Sequence, residues 1–376
     1  MKSNILPSKQ KILLVTNLAW NVFKFRLPFI TYIQTFDINV DVLTEFDGYE
    51  QKLHKKVNNL FQMNVNSRSI NIFSDLRMLF TLWQTYKASK PDLIILYTIK
   101  PCIYGSIVAR LMGIPVIMNI TGMGSGFLRG GLFAKGILLL YKLGAGKNTK
   151  LVFQNQDDQE LFLNNKIISQ SQANLIQGSG ISLKDFPIAP YPKNREFVFL
   201  MVARLIKDKG IGEYIEAAKI LLNKSLKIKF QILGKAQESI NSNFSKKHID
   251  SLHESGVIEY LGESDDVKKY IISADCLVLP SYREGTSKAL LEGHAMGRPL
   301  IATNVSGCKE IILQNKSGLL CEAKDSLDLA SKMLQMTKKS RSERKKMGIL
   351  GREKVKNEFS EEIVFSKMSK LISTII

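Results

Sequence analysis

Residues 279–292 read Leu279-Pro280-Ser281-Tyr282-Arg283-Glu284-Gly285-Thr286-Ser287-Lys288-Ala289-Leu290-Leu291-Glu292. The run that ends here, Cys276–Pro280, is apolar on both faces, as a strand of a helix-covered parallel sheet is. A loop with an acid and a glycine follows, and a helical pattern opens at about Thr286. Strand, glycine loop, helix is the building unit of an open α/β sheet, whose ligands sit at the carboxyl ends of the strands. The unpaired N–H groups of the first helical turn make an anion site there. Gly285 lets a ligand approach the backbone. Glu284 before the helix and Glu292 two turns along it can both reach one extended ligand. Taken alone, the stretch also reads as a capped surface helix with ordinary acids.

Outward from this stretch the same unit repeats. Short apolar runs at 11–16, 40–44, 92–98, 116–120, 151–154 and 175–177 alternate with helical patterns in the first half. A second series follows at 197–202, 228–233, 257–261, 276–280, 300–303 and 319–321. Repeated β–helix–β order implies right-handed crossovers and a doubly wound parallel sheet in each half. The spacer Ala189-Pro190-Tyr191-Pro192-Lys193-Asn194, with two prolines and a polar end, is the expected linker. The expectation is two Rossmann-like domains, 1–190 and 191–359, with a last helix over 360–376 and a cleft between the sheets.

A second informative stretch is Phe199-Leu200-Met201-Val202-Ala203-Arg204-Leu205-Ile206-Lys207-Asp208-Lys209-Gly210. A buried strand runs straight into Arg204 and Lys209, with Gly210 at the turn before the next helix. Two cations at the mouth of a strand suit a diphosphate: arginine offers a planar fork, lysine a mobile point charge. A solvated loop is the other reading. No D-x-D pair ends a strand. Asp157-Asp158 and Asp265-Asp266 stand where helices begin, as the helix dipole favours. A leaving diphosphate is therefore expected to be stabilised by Arg204, Lys209 and helix N–H groups, with no metal and no other cofactor.

The chain carries a formal charge of +19 over 376 residues, and 45% of them are hydrophobic. The excess of cations is shared by both halves, so it points to an anionic surface or phosphorylated ligands and not to a nucleic-acid arm. The four cysteines have no metal or redox spacing and sit beside apolar runs, as buried small hydrophobes do in a reducing compartment. The early apolar run KILLVT is short and lacks a cleavage site, and no uncharged run approaches the ~20 residues that span a bilayer. The expected location is cytoplasmic, with the protein soluble or peripheral on a membrane. The stretch Phe127–Lys150, FLRGGLFAKGILLLYKLGAGKNTK, mixes bulky apolar residues with Arg129, Lys135, Lys142, Lys147 and Lys150. It reads either as a basic amphipathic segment for an anionic leaflet or as a helix covering the sheet. The helix over 72–86, with Phe73, Leu76, Phe80 and Trp83, reads as core. Gly122, Gly124 and Gly126 follow the 116–120 strand. They lack the G-x-G-x-x-G spacing and the ribose acid of a dinucleotide fingerprint, and read instead as a flexible loop in the cleft.

The pair ARLIKDKG (203–210) and EGTSKALLE (284–292) resembles the retaining GT-B glycosyltransferases of family 4, whose signature is an arginine and lysine after the first strand of the second domain and an E-x7-E motif. TIKPCIYG, NITGMGSGF, LVFQNQDDQELF, GSGISLKDF, GRPLIATNVSGCKEII and SGLL extend the likeness over nearly the whole chain, toward the subgroup that assembles lipid-linked bacterial surface polysaccharides and glycans. The resemblance implies that Arg204 and Lys209 hold the donor diphosphate and that Glu284 contacts the transferred sugar. Glu292 is expected on the ribose, and the backbone of Gly285, Thr286 and Ser287 on the sugar or phosphate. It implies a nucleotide-sugar donor, UDP-linked by preference, a lipid-linked saccharide acceptor, retention of configuration, and a last helix packed back on the first domain. Where the family carries a Gly-Gly loop this chain has Asn17-Leu18-Ala19-Trp20-Asn21, and Phe25 replaces the histidine of a common His-Arg pair. Asn17, Arg26, Thr121 and Gly122 are the acceptor-side candidates. The rival readings are a UDP-sugar 2-epimerase of the same fold, a nicotinamide dehydrogenase and a non-catalytic nucleotide-sugar-binding module.

Overall fold

Successive side chains of the first strand part to opposite sides of a sheet. Leu13 and Val15 enter one apolar core, while Ile12 and Leu14 enter another. A strand buried on both faces needs no polar alternation, which is why KILLVT reads as continuous apolar sequence. The computed structural model describes residues 9–63, 71–122, 131–193, 196–224, 226–236 and 244–376.

The first sheet holds β1 Lys11–Leu18, β2 Asn39–Glu45, β3 Asn59–Gln62, β4 Leu93–Tyr97, β5 Val116–Ile120, β6 Thr149–Phe153 and β7 Ala173–Leu175. They lie in the order β3-β2-β1-β4-β5-β6-β7, all parallel. The second holds β8 Phe197–Val202, β9 Ile228–Leu233, β10 Glu259–Tyr260, β11 Cys276–Leu279, β12 Leu300–Thr303 and β13 Gly318–Cys321, in the parallel order β10-β9-β8-β11-β12-β13. Helices of six residues or more, in chain order, are α1 Leu27–Gln34, α2 Ile72–Ser89, α3 Ser106–Leu111, α4 Gly131–Gly144, α5 Gln156–Asn164, α6 Ile211–Leu222, α7 Lys246–Glu254, α8 Lys268–Ser273, α9 Lys288–Ala295, α10 Ser326–Lys338, α11 Arg341–Glu358 and α12 Glu361–Ile372. These are two Rossmann-like parallel-sheet units, as expected. The edge strand β3, NLFQ, escaped the sequence reading because it is short and its ends are polar and exposed.

The chain divides into residues 1–180 with 361–376, and 181–360. Helix α12 belongs to the first unit: Phe365 packs its ring 5.3 Å from those of both Phe29 and Tyr32 in α1. The proline-bearing spacer expected to separate the domains lies inside the second unit instead. Its backbone is held there by side chains distant in sequence. Arg298, fully buried, donates to the carbonyls of Ala189 at 3.2 Å and Pro190 at 2.8 Å, and also to those of Ile271, Ile272 and Met296. Tyr191 donates its hydroxyl to the Asp275 carbonyl at 2.7 Å, and Arg341 donates to the Tyr191 carbonyl.

Helix α2 also departs from expectation. It faces the sheet with Met78, Leu82 and Tyr86, and turns Phe73, Leu76, Phe80 and Trp83 outward. Two apolar stripes run along this helix, and a periodic pattern alone does not tell which one meets the sheet. All four cysteines are buried free thiols. No helix among the described residues is long and apolar enough to cross a membrane.

Candidate active site

The carboxyl ends of β8, β11 and β12, neighbours in the second sheet, send out three loops that lock together. The β8 loop leads through exposed Arg204 into a single 3-10 turn, Lys207–Lys209, and stops at Gly210. Gly210 has φ +72°, and a Cβ there would stand 2.0 Å from the Pro280 carbonyl oxygen, so only glycine lets this loop rest on the β11 loop. The Tyr282 N–H and the Ser281 hydroxyl both donate to the Asp208 carbonyl, at 2.9 and 3.0 Å. Across this seam Lys209 Nζ meets Glu284 Oε1 at 2.5 Å, with both side chains mostly buried.

The β12 loop fixes Glu284 from the other side. Thr303 donates its hydroxyl to the Ser281 carbonyl, the Glu284 N–H donates to Ser306 O at 3.0 Å, and the Ser287 N–H to Gly307 O at 3.1 Å. Gly307, at φ +79°, lies so close that a Cβ would stand 2.5 Å from the Glu284 carbonyl oxygen. Tyr282 completes the frame by donating its hydroxyl to Glu213 Oε1 in α6 at 2.6 Å. Burial, with the Glu213 bond adding to it, pushes this phenol far above its ordinary range, so it remains a donor.

The helix expected from Thr286 opens at Lys288. Ser287 is its N-cap and accepts from the Leu290 N–H at 3.5 Å. Ser287 therefore spends its N–H on the β12 loop and its hydroxyl on the cap, and acts to place Glu284, Gly285 and Thr286. Glu292 lies inside α9 and is buried. Neither the histidine nor the cysteine nearby offers a nucleophile. His294 directs Nδ1 to the Arg298 carbonyl at 3.0 Å, and burial lowers it to about 4. Burial, with Glu284 next in effect, holds the Cys308 thiol protonated. Among the described residues no cluster of three or more histidine, cysteine or acidic side chains forms a metal-binding group.

Of the donor-side residues expected from sequence, Arg204, Lys209, Glu284, Gly285, Thr286 and Ser287 thus lie on these loops at the carboxyl end of one sheet. Sequence reasoning passed over Asp208, Glu213, Tyr282, Ser306 and Gly307. The signal for the last two was the Ser-Gly turn after an apolar strand, 305–308, in a segment that had already been singled out.

In the first unit the acceptor-side candidates gather where β1, β4 and β5 end. Asn17 lies near the end of β1, and Thr121 and Gly122 follow β5, with Gly122 at φ +120°. Arg26 lies in a π-helical turn, Val22–Arg26, after β1. Its guanidinium stacks 3.9 Å from the Tyr97 ring centroid at the end of β4; it is buried, and its Nε is without a partner among the described residues. The next residue, Thr98, holds φ +67°, a rare conformation for a β-branched side chain, before a second π-helical turn, Pro101–Gly105. Paired π turns beside the point where the strand order reverses, between β1 and β4, are features that cluster at functional sites. Gly124 and Gly126 lie outside the described residues.

Comparison with known proteins agrees with this architecture. The family profile described as glycosyl transferases group 1 matches residues 185–354, and that described as glycosyl transferase 4-like matches residues 11–155. The N,N'-diacetylbacillosaminyl-diphospho-undecaprenol alpha-1,3-N-acetylgalactosaminyltransferase of Campylobacter jejuni is 28% identical over 83% of this chain and 85% of its own length. The capsular polysaccharide biosynthesis glycosyltransferase CapM of Staphylococcus aureus is 25% identical over 90% and 91%. The UDP-Gal:alpha-D-GlcNAc-diphosphoundecaprenol alpha-1,3-galactosyltransferase of Escherichia coli is 25% identical over 81% of each. Among solved structures, Anabaena HepE in complex with UDP and glucose superposes with a TM-score of 0.79 at 16% identity, over 97% of this chain and 100% of that one. A Rickettsia africae glycosyltransferase superposes at 0.76 with 20% identity, over 98% and 99%. Two parallel Rossmann-like sheets, the two profiles that between them take up most of the sequence, and these relatives place the chain in the GT-B glycosyltransferases.

Proposed function

We propose that this glycosyltransferase moves a hexose or N-acetylhexosamine from a UDP-sugar to a lipid-linked saccharide during surface polysaccharide or glycan synthesis, with retention of configuration and without a metal. The observation that carries the donor site is the Lys209–Glu284 pair, held at the junction of the β8 and β11 loops with Arg204 exposed on the same loop. It sets an acid that can accept sugar hydroxyls directly beside one cation that can take the diphosphate, with a second cation on the same loop. Glu292, in the helix α9 that follows this loop, is assigned to the ribose.

In this reading the bond from the sugar's anomeric carbon to the β-phosphate oxygen breaks as the acceptor hydroxyl attacks the same face. The hydroxyl's proton passes to the departing phosphate oxygen, leaving nucleoside diphosphate and extended glycolipid. Fixed positive charge from Arg204 and Lys209 on the leaving group lowers the barrier, because it needs no reorganisation as charge develops. The relatives' acceptors support the lipid-linked substrate, and Asn17, Arg26, Thr121 and Gly122 are assigned to its side.

The test is incubation with a panel of UDP-, GDP- and ADP-sugars and an undecaprenyl-diphosphate-linked saccharide, with the product linkage read by NMR. An α-linked product from an α-linked donor supports the reading. A β-linked product, or a free epimerised nucleotide sugar with no transfer, overturns it.

A further inference from the structure

The outward side of one helical layer of the first unit is apolar and cationic. Helices α2, α3 and α4 pack side by side over the same face of the first sheet. Along α2 the residues Phe73, Leu76, Phe80, Trp83 and Lys87 fall at i, i+3, i+7, i+10 and i+14, so they form one stripe. Phe73 is 78% exposed, Phe80 56% and Trp83 41%, although the opposite stripe of the same helix is fully buried. The stripe continues on the neighbours, with Leu111 of α3 83% exposed and Leu139 and Leu143 of α4 about as exposed as Phe80. A soluble surface scatters such residues singly; a contiguous band of them marks an interaction surface.

Charge selects the partner. From Leu93 to Gln156 the sequence has seven cations and no acid. Lys135 and Lys142 are exposed on α4, and Lys87 lays its ammonium 3.7 Å from the Trp83 ring centroid. The acid of α2, Asp75, is occupied by Lys100 at 2.6 Å and the Tyr104 hydroxyl at 2.8 Å. A second copy of this chain would bring like charge against like charge. An anionic bilayer offers acyl chains for the aromatic stripe and headgroups for the lysines around it.

We propose that the outward faces of α2, α3 and α4 are a membrane-docking surface, which seats in the headgroup region of an anionic leaflet with Phe80 and Trp83 inserted. This replaces the narrower expectation that 127–150 alone meets the lipid, and residues 127–130 of that stretch lie outside the described residues. The inference deepens the reading of a lipid-carried acceptor and rests on it for its purpose, but docking is measured without turnover.

The chain has two tryptophans, Trp20 and Trp83, so Trp20→Phe leaves one reporter on the proposed surface. With phosphatidylglycerol vesicles its emission should shift to the blue and be quenched by lipids brominated along the acyl chain, and phosphatidylcholine vesicles should do neither. Phe80→Ser and Trp83→Ser change exposed positions, and each should weaken vesicle partitioning about tenfold. Lys135→Gln with Lys142→Gln should weaken it about thirtyfold. All four should leave transfer to a short-chain, water-soluble acceptor unchanged, which separates failure of docking from failure of catalysis. Vesicle binding with no change in Trp83 emission overturns the proposal, as does equal pelleting of parent and variants. A stable dimer that these substitutions dissociate, with no vesicle binding by the parent, also overturns it.

Discussion

Lys209 and Glu284 stand 75 positions apart in the chain and 2.5 Å apart in the fold. Neither reaches the other by its own flexibility. The β8 loop brings Lys209 to the seam because Gly210 sits against the Pro280 carbonyl, and the β12 loop holds Glu284 by its backbone. The pair is thus a product of three adjacent strand ends, and its chemistry should respond to damage in any of the three loops.

Glu284→Gln is expected to lower kcat by one to two orders of magnitude with little change in donor affinity, since a charged hydrogen bond is worth about 1.5–3 kcal/mol. Glu292→Ala is expected to raise the donor KM and leave kcat nearly intact. Steady-state kinetics of the two variants on one donor checks this, and identical profiles would contradict the separate roles assigned to the two acids.

The close approach at Gly210 predicts a stability difference between two left-handed glycines. Gly256, at φ +75°, has nothing within 4 Å of an added Cβ, so Gly256→Ala should cost only the backbone strain, about 1 kcal/mol. Gly210→Ala meets both the strain and the Pro280 carbonyl, and should cost at least about 3 kcal/mol and abolish turnover. Urea unfolding of both variants decides it; equal losses would mean that the seam yields freely.

Much of this was legible in the sequence, for identifiable reasons. Buried parallel strands are written as unbroken apolar runs, so the central strands of both sheets could be read directly, and only the polar edge strand β3 was lost. The chemistry-bearing loops follow those strands and carry their glycines and charges in fixed order. Long-range bonds could not be read. Nothing local in Ala189–Tyr191 announces that Arg298 and Arg341 bind its carbonyls, so two prolines looked like a linker. Nor does helical periodicity say which of two apolar stripes on α2 faces the sheet, so Phe80 and Trp83 read as core. The Glu213–Tyr282 bond was equally invisible, because its partners come from helix α6 and the β11 loop.

His294 gives a pH dependence whose sign follows from its burial. The folded protein holds the ring neutral down to about 4, whereas the unfolded chain takes up a proton near the ordinary histidine value. Neutral burial therefore contributes its full stability above about pH 6.5, and the contribution is lost as pH falls toward 4, by roughly 2 kcal/mol between pH 7 and pH 5. His294→Asn, which can keep a donor toward the Arg298 carbonyl, should flatten that part of the curve. Urea midpoints measured across the window check it, and parallel curves for parent and variant would assign the acid lability elsewhere.

Metal independence is expected because the reading assigns the diphosphate charge to Arg204 and Lys209, and the one acid beside them, Glu284, is already paired with Lys209. Turnover should persist in excess EDTA. Loss of activity on chelation, restored by magnesium or manganese, would contradict it.

The most direct test of the donor site is the affinity for UDP of the parent, Arg204→Ala, Lys209→Ala and the double variant, by isothermal titration at fixed ionic strength. Each single substitution should weaken binding by about 1.5–3 kcal/mol, roughly ten- to a hundredfold, with unfolding midpoints close to the parent's. Binding by the double variant that matches the parent's would contradict the account at its centre.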